Sequence, residues 1–140
     1  MAYSVVPPGI SPKRILVVDD APIVAETIQT MLSQCGHQVE TSKDGQEALS
    51  KVRSGKYDLV ITDYDMPRMN GLELAQSIKK RTAGQLVLLL TAYAFSIAAK
   101  HTPPLPVDLV LEKPVSLREF QEALGGLFPA SLENAAAQPA

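Results

Sequence analysis

Short apolar runs alternate along this chain with segments whose apolar residues recur every three or four positions. Residues 15–18 (ILVV) form a continuous apolar run, which predicts a strand buried on both faces. Asp19 and Asp20 follow. A helix is predicted from about Ala21, with Pro22 in its first turn, where proline is tolerated. Val24, Ile28, Met31 and Cys35 share one face of that helix, and Gly36 stops it. Residues 39–41 are short and mixed, as suits an edge strand. Asp44-Gly45 is a turn, and residues 46–53 are a short helix with Ala48, Leu49 and Val52 inward, stopped by Gly55. Residues 59–61 are a second buried strand that closes at Asp63. Leu74, Ala75 and Ile78 mark the next helix. Residues 86–90 are the most apolar strand and run into Thr91 and Ala92.

Residues 94–100 are helical by pattern, but Pro103, Pro104 and Pro106 hold that helix to about two turns. Residues 107–111 form the fifth strand, followed by Glu112, Lys113 and Pro114. Ser116 and Glu119 make a capping box for a last helix. Its apolar face is Leu117, Phe120, Leu124 and Leu127, and Gly125-Gly126 should fray its end. Five strands alternating with helices predict one α/β domain, a doubly wound five-stranded parallel sheet with right-handed crossovers. Residues 13–128 make up that domain. Residues 1–12, with three prolines and a glycine, read as an irregular arm, and residues 129–140 as a tail or linker stub.

Composition narrows the function. Apolar residues make up 46% of the 140 and charged residues 20%, an ordinary globular mix. A net charge of −2 provides no field to draw nucleic acid or acidic lipid. The basic run Lys79-Lys80-Arg81 falls at a predicted helix end, where cations complement the helix dipole. A single cysteine excludes an internal disulfide framework and suits a reducing compartment. Cys35, His37 and distant His101 lack zinc-ligand spacing and a fourth ligand. No apolar run approaches the ~18 residues of a membrane span, and residues 1–12 lack a signal peptide's regions. A cytoplasmic protein without membrane or direct nucleic-acid partners is expected.

The acidic residues sit at strand ends. In parallel sheets ligands bind outside the carboxyl ends of the strands. Asp19 and Asp20 end the first strand, Asp63 the third, Thr91 the fourth and Lys113 the fifth, so these distant residues should share one rim. Asp63 and Asp65 have an ordinary reading too, since Asp favours strand ends and turns. Three clustered carboxylates, however, repel by about 4 kcal/mol per pair at ~4 Å and an effective dielectric near 20. Such a cluster invites a divalent cation, and an all-oxygen ligand set points to magnesium rather than zinc. A carboxylate can also attack a phosphoryl group and form an acyl phosphate.

The segments LVVDD (16–20), ITDYDMPRMNG (61–71), TA (91–92) and EKP (112–114) together resemble the CheY-like receiver domain of two-component response regulators. The resemblance covers roughly residues 13 to 128. It implies a flavodoxin-like sheet of strand order 2-1-3-4-5, with the strands at 39–41 and 107–111 at the edges. It implies Asp63 as phosphoacceptor, with magnesium, or manganese in its place, held by Asp20, Asp63 and the Asp65 backbone carbonyl. Asp19 would act through a bound water. Asp20 has a second reading as N-cap of the first helix. Lys113, the Thr91 hydroxyl and the Ala92 backbone N–H would contact the phosphoryl group, and Lys113–Pro114 would be a cis peptide.

The phosphodonor implied is a histidine kinase or histidine phosphotransfer protein. The chain would signal to a downstream protein by contact, without an output domain, as a stand-alone regulator, a phosphorelay shuttle or a receiver from a larger kinase. It would catalyse only its own phosphorylation and dephosphorylation. The pattern is broken at Val110, where the family usually has a switch Tyr or Phe; Tyr93 and Phe95 are candidate substitutes. HTPPLP (101–106) should remodel the face normally carrying the fourth helix. Tyr93 and Asp65 occupy positions that tune phosphoryl hydrolysis. Two alternatives are a haloacid-dehalogenase-type phosphatase using Asp63-Tyr64-Asp65 as its DxD pair, and a pseudo-receiver that is never phosphorylated. The first leaves LVVDD and EKP unexplained; the complete Asp, Thr and Lys set argues against the second.

Overall fold

A computed structural model describes residues 10–101 and 103–129. Ten elements alternate: β1 (Arg14–Val18), α1 (Pro22–Gln34), β2 (Gln38–Ser42), α2 (Gly45–Ser54), β3 (Leu59–Asp63), α3 (Gly71–Arg81), β4 (Leu86–Thr91), α4 (Ala94–Lys100), β5 (Leu109–Glu112) and α5 (Leu117–Leu127). The strands form one parallel sheet of order β2-β1-β3-β4-β5. The doubly wound architecture predicted from the alternation is therefore present, in the order that the resemblance implied. β3 is buried throughout, β1 and β4 nearly so, while β2 and β5 alternate or are half-buried, as edges should be.

Side-chain alternation divides the core between the two faces of the sheet. Ile15, Val17, Leu59, Ile61, Leu88 and Leu90 point to one face, where α1 and α5 cover them with Ile28, Leu32, Phe120 and Leu124. Leu16, Val18, Val60 and Val87 point to the other, under Ala48 of α2 and Leu74, Ala75 and Ile78 of α3. Leu89 packs separately with Leu72 and with Ile97 of α4.

The register fixes where the rim lies. Val18 pairs with Thr62, Asp63 with Leu90 and Thr91 with Glu112, so the carboxyl ends of four strands finish level. Helix starts on that side are anchored locally. The Asn70 side chain accepts from the Glu73 N–H at 2.9 Å, and Glu73 returns a bond to the Asn70 N–H. The predicted Ser116–Glu119 box forms in the same way.

Several local expectations are corrected. The buried stripe of α1 is Ala25, Ile28 and Leu32, with Val24 and Met31 on its flanks. Ala25 is small enough to let the helix lie close to the sheet, which a count of large apolar residues overlooks. Cys35 is buried but sits at the C-cap, outside the helix. β5 starts at Leu109, two residues late, because Asp108 is used elsewhere. Its carboxylate accepts the Val87 N–H at 2.8 Å and the Lys79 ammonium at 2.6 Å. α5 runs through Gly125 and Gly126 to Leu127, carried by the packing of Leu124 and Leu127. Residues 1–9 and 130–140, most of the predicted arm and tail, lie outside the described residues. Ile10, within the predicted arm, is buried against the α1/α5 side of the core. α4 has 7 residues, the two turns expected. His37 is buried and accepts the Lys13 N–H on Nδ1 at 3.0 Å, a structural role. No helix among the described residues is long and apolar enough to cross a membrane.

Candidate functional site

Four of the predicted site residues meet on the rim. Asp63, the last residue of β3, is 7% exposed, and Asp19, just past β1, is 3% exposed. Lys113, just past β5, places Nζ 2.6 Å from Asp63 Oδ1 and 3.6 Å from Asp19 Oδ2. Asp19, Asp20 and Asp63 each bring a carboxylate oxygen within 4.8 Å of the others. Lys113–Pro114 is cis, as the resemblance implied, and Pro103–Pro104 is cis as well.

The two aspartates after β1 differ in environment. Asp19 Oδ1 accepts the Ala21 N–H at 2.9 Å, holding the turn into α1. Its Oδ2 is buried and makes no hydrogen bond, with only the longer Lys113 contact. Asp20 is exposed and does not cap α1: Ala21 is the N-cap, and no side chain caps there. The capping reading of Asp20 is thereby corrected, and its carboxylate is left open toward the cluster.

Electrostatics on the rim are frustrated. Burial pushes the Asp63 carboxyl above its usual range, and the Asp19 and Asp65 charges add to this, against the pull of Lys113. For Lys113, burial alone works against the ammonium. Its hydrogen bond to Asp63 and the charges of Asp63 and Asp19 outweigh burial and raise its pKa. One ammonium therefore serves two buried carboxylates, and a third stands beside them. The orphaned buried Asp19 oxygen and the all-oxygen donor set fit a small hard cation such as magnesium.

Thr91 is buried at the end of β4, and its Oγ1 accepts the Tyr93 N–H at 3.0 Å. The hydroxyl keeps its proton to donate. Ala92 is exposed on the same strand end. The loop after Asp63 is tied at both ends: Tyr64 N–H donates to the Leu90 carbonyl at 2.8 Å, and Gly71 N–H to the Tyr64 carbonyl at 2.9 Å. Asp65 is exposed between them. A Cβ at Gly71 would run into the Asp63 carbonyl oxygen and the Leu89 side chain, so only glycine lets α3 start against the acidic strand end. Val110 is half-buried beside Leu72, Leu89 and Ile97. Tyr93 and Phe95 are 65% and 86% exposed, so neither ring fills that interior position.

The family model for the response regulator receiver domain matches residues 15–125. The chain belongs to the response regulator receiver domain family. The receiver is 42% identical over 109 residues to response regulator MprA of Mycolicibacterium vanbaalenii, covering 78% of this chain and 47% of that protein. It is 34% identical over 110 residues to the sensor histidine kinase RcsC of Escherichia coli, covering 79% of this chain and 12% of that one. The receiver thus spans half or less of the length of these curated relatives. Among solved structures it resembles the response regulator TrrA of Thermotoga maritima, crystallised with Mg(2+)-BeF. The identity is 38% and the TM-score 0.76, over 82% of this chain and 98% of that one. Membership sets aside the phosphatase alternative and places the chain among signalling modules rather than metabolic enzymes.

Proposed function

We propose that this receiver accepts a phosphoryl group on Asp63 from a histidine kinase or a histidine phosphotransfer protein, in a magnesium-dependent reaction, and signals through protein contact. The observation that carries the reading is the convergence of Lys113 Nζ, 2.6 Å from Asp63, with the Asp19, Asp20 and Asp63 carboxylates, which bring oxygens within 4.8 Å of one another. In the reaction an Asp63 oxygen attacks phosphorus. The bond from phosphorus to the donor's nitrogen or oxygen breaks, and its electron pair leaves with the donor. Asp20, Asp63 and the Asp65 carbonyl would hold the metal, with Asp19 acting through water. Bound there, magnesium, or manganese in its place, would neutralise charge on the carboxylates and the incoming phosphoryl group. Lys113 would release Asp63 and pair with a phosphoryl oxygen as a compact point charge. Thr91 Oγ1 and the Ala92 N–H would donate to the others.

Asp65 and Tyr93 would tune how long the phosphoryl group survives. With Tyr93 shielding water's approach, Tyr93→Ala is expected to speed phosphate loss after the donor is removed. Equal decay rates for the two proteins reject a shielding role. With Val110 in place of a ring, the change on phosphorylation would be passed through the loop after Thr91 and the proline segment.

The test is to incubate the protein with magnesium and acetyl phosphate and follow its intact mass. One added phosphoryl group, stable in acid, lost in base and absent when the metal is chelated, is the expected result. Failure to take up phosphate, or steady turnover of a phosphomonoester, overturns the reading.

A further inference from the structure

The loop from Tyr64 to Asn70, which carries the Asp65 carbonyl, lies against the first turn of α2. α2 supplies no ligand to the acidic cluster. Asp44 caps it, with Oδ1 accepting the Glu47 N–H at 2.8 Å. Gly45, its first residue, is buried, and a Cβ there would meet Met69 Sδ at 2.5 Å and Met69 Cβ and Cγ at 3.2 Å. Met66 is buried in the same cluster as Leu16, Val18 and Ala48, and Met69 packs against that cluster. Between the two methionines, Arg68 has a φ of 70°, sparsely used by residues with a side chain. Its guanidinium reaches Asp44 Oδ2 at 3.6 Å. Arg68 is largely exposed, so that ion pair contributes little, and the packed Met69–Gly45 contact is the firm one.

We infer that Gly45 and Met69 act as positioning residues for the metal-binding loop. The missing side chain at Gly45 is a socket, and Met69 seated in it sets the height of residues 64–70 over the acidic cluster. Two anchors, Met66 in the core and Met69 in the socket, fix the peptide planes on either side of Arg68 and hold the path of the loop back toward Asp65. The backbone-strained residue lies between them, as expected where surrounding packing over-determines a conformation. This inference rests on the proposed role of the Asp65 carbonyl as a ligand.

The experiment compares wild type, Gly45→Ala, Met69→Ala and the double variant. Each is measured for magnesium affinity by calorimetry, for thermal stability without metal, and for amide shifts of residues 64–70 in the metal-free state. Outer-shell residues that orient ligands typically change metal affinity by about tenfold or more when altered. Gly45→Ala is therefore expected to weaken magnesium binding about tenfold with Met69 present. In the Met69→Ala background the same change should cost less than about twofold, since Sδ and Cγ are gone and only the residue-69 Cβ, at 3.2 Å, remains close. The metal-free amide shifts of the loop should move in Gly45→Ala and return toward those of Met69→Ala in the double variant. Equal losses of affinity in both backgrounds, or a fall in thermal stability with magnesium affinity untouched, would overturn the inference. If wild type binds magnesium yet accepts no phosphoryl group, the proposed function fails while the socket remains tested by the affinity cycle.

Discussion

Asp63→Asn is expected to end phosphoryl uptake while the fold persists. An amide of nearly the same shape replaces the carboxylate but has no charged oxygen to attack phosphorus. The loss should be at least about a thousandfold, the order seen when an essential reacting group is removed. Stability supplies an independent readout. Burial together with the Asp19 and Asp65 charges raises the folded-state pKa of Asp63 above 3.8. A carboxyl raised in this way contributes stability that is complete at pH values below 3.8. That stability is lost as pH climbs through the folded value. The asparagine variant has no such loss. Its stability relative to wild type should rise with pH above 3.8 and level off once Asp63 is ionised, in metal-free buffer. Chemical denaturation at a series of pH values checks this, and parallel curves for the two proteins would contradict it.

Lys113→Met carries the second large effect, and it has two parts. Phosphoryl transfer should fall by about 10²–10³-fold, as when a single preorganised stabilising group is lost. Lys113→Arg should recover little, because a planar guanidinium cannot replace a point charge 2.6 Å from Asp63. Without its ammonium, the rim also leaves the buried Asp19 and Asp63 facing each other with no cation. Lys113 is partly open to water, so the cost lies between exposed and buried pairs, about 1–3 kcal/mol. Magnesium should restore more stability to Lys113→Met than to wild type, since it would supply the missing positive charge. Melting curves with and without the metal measure the difference. Equal magnesium stabilisation in the two proteins would mean that Lys113 and the metal site are electrostatically independent.

Most of the site was legible because each residue stands at the end of an apolar run. Asp19, Asp63, Thr91 and Lys113 were placed on one rim by the strand pattern alone, and β4 follows the run at residues 86–90. Legibility ended where a small residue or a partner across space decides the outcome. The α1 stripe turns about Ala25, which a search for large apolar side chains passes over. Asp108 looked like part of a strand, but it accepts the Val87 N–H and pairs with Lys79. Asp20 had the composition of a cap, yet its neighbour Asp19 makes the helix-turn bond. Asp44-Gly45 read as an ordinary turn, since nothing near it in sequence signals that Met69 rests on the glycine.

The claim beneath all of this is that Asp63 is the one carboxylate on the rim that becomes an acyl phosphate. Borohydride reduces an acyl phosphate to an alcohol and leaves ordinary carboxylates alone, so reduction after phosphorylation, digestion and peptide mass mapping locate the group. Conversion of residue 63 to homoserine, dependent on magnesium and with Asp19, Asp20 and Asp65 unchanged, is the predicted result. Reduction at any of those three in the wild-type protein, with residue 63 intact, would contradict it.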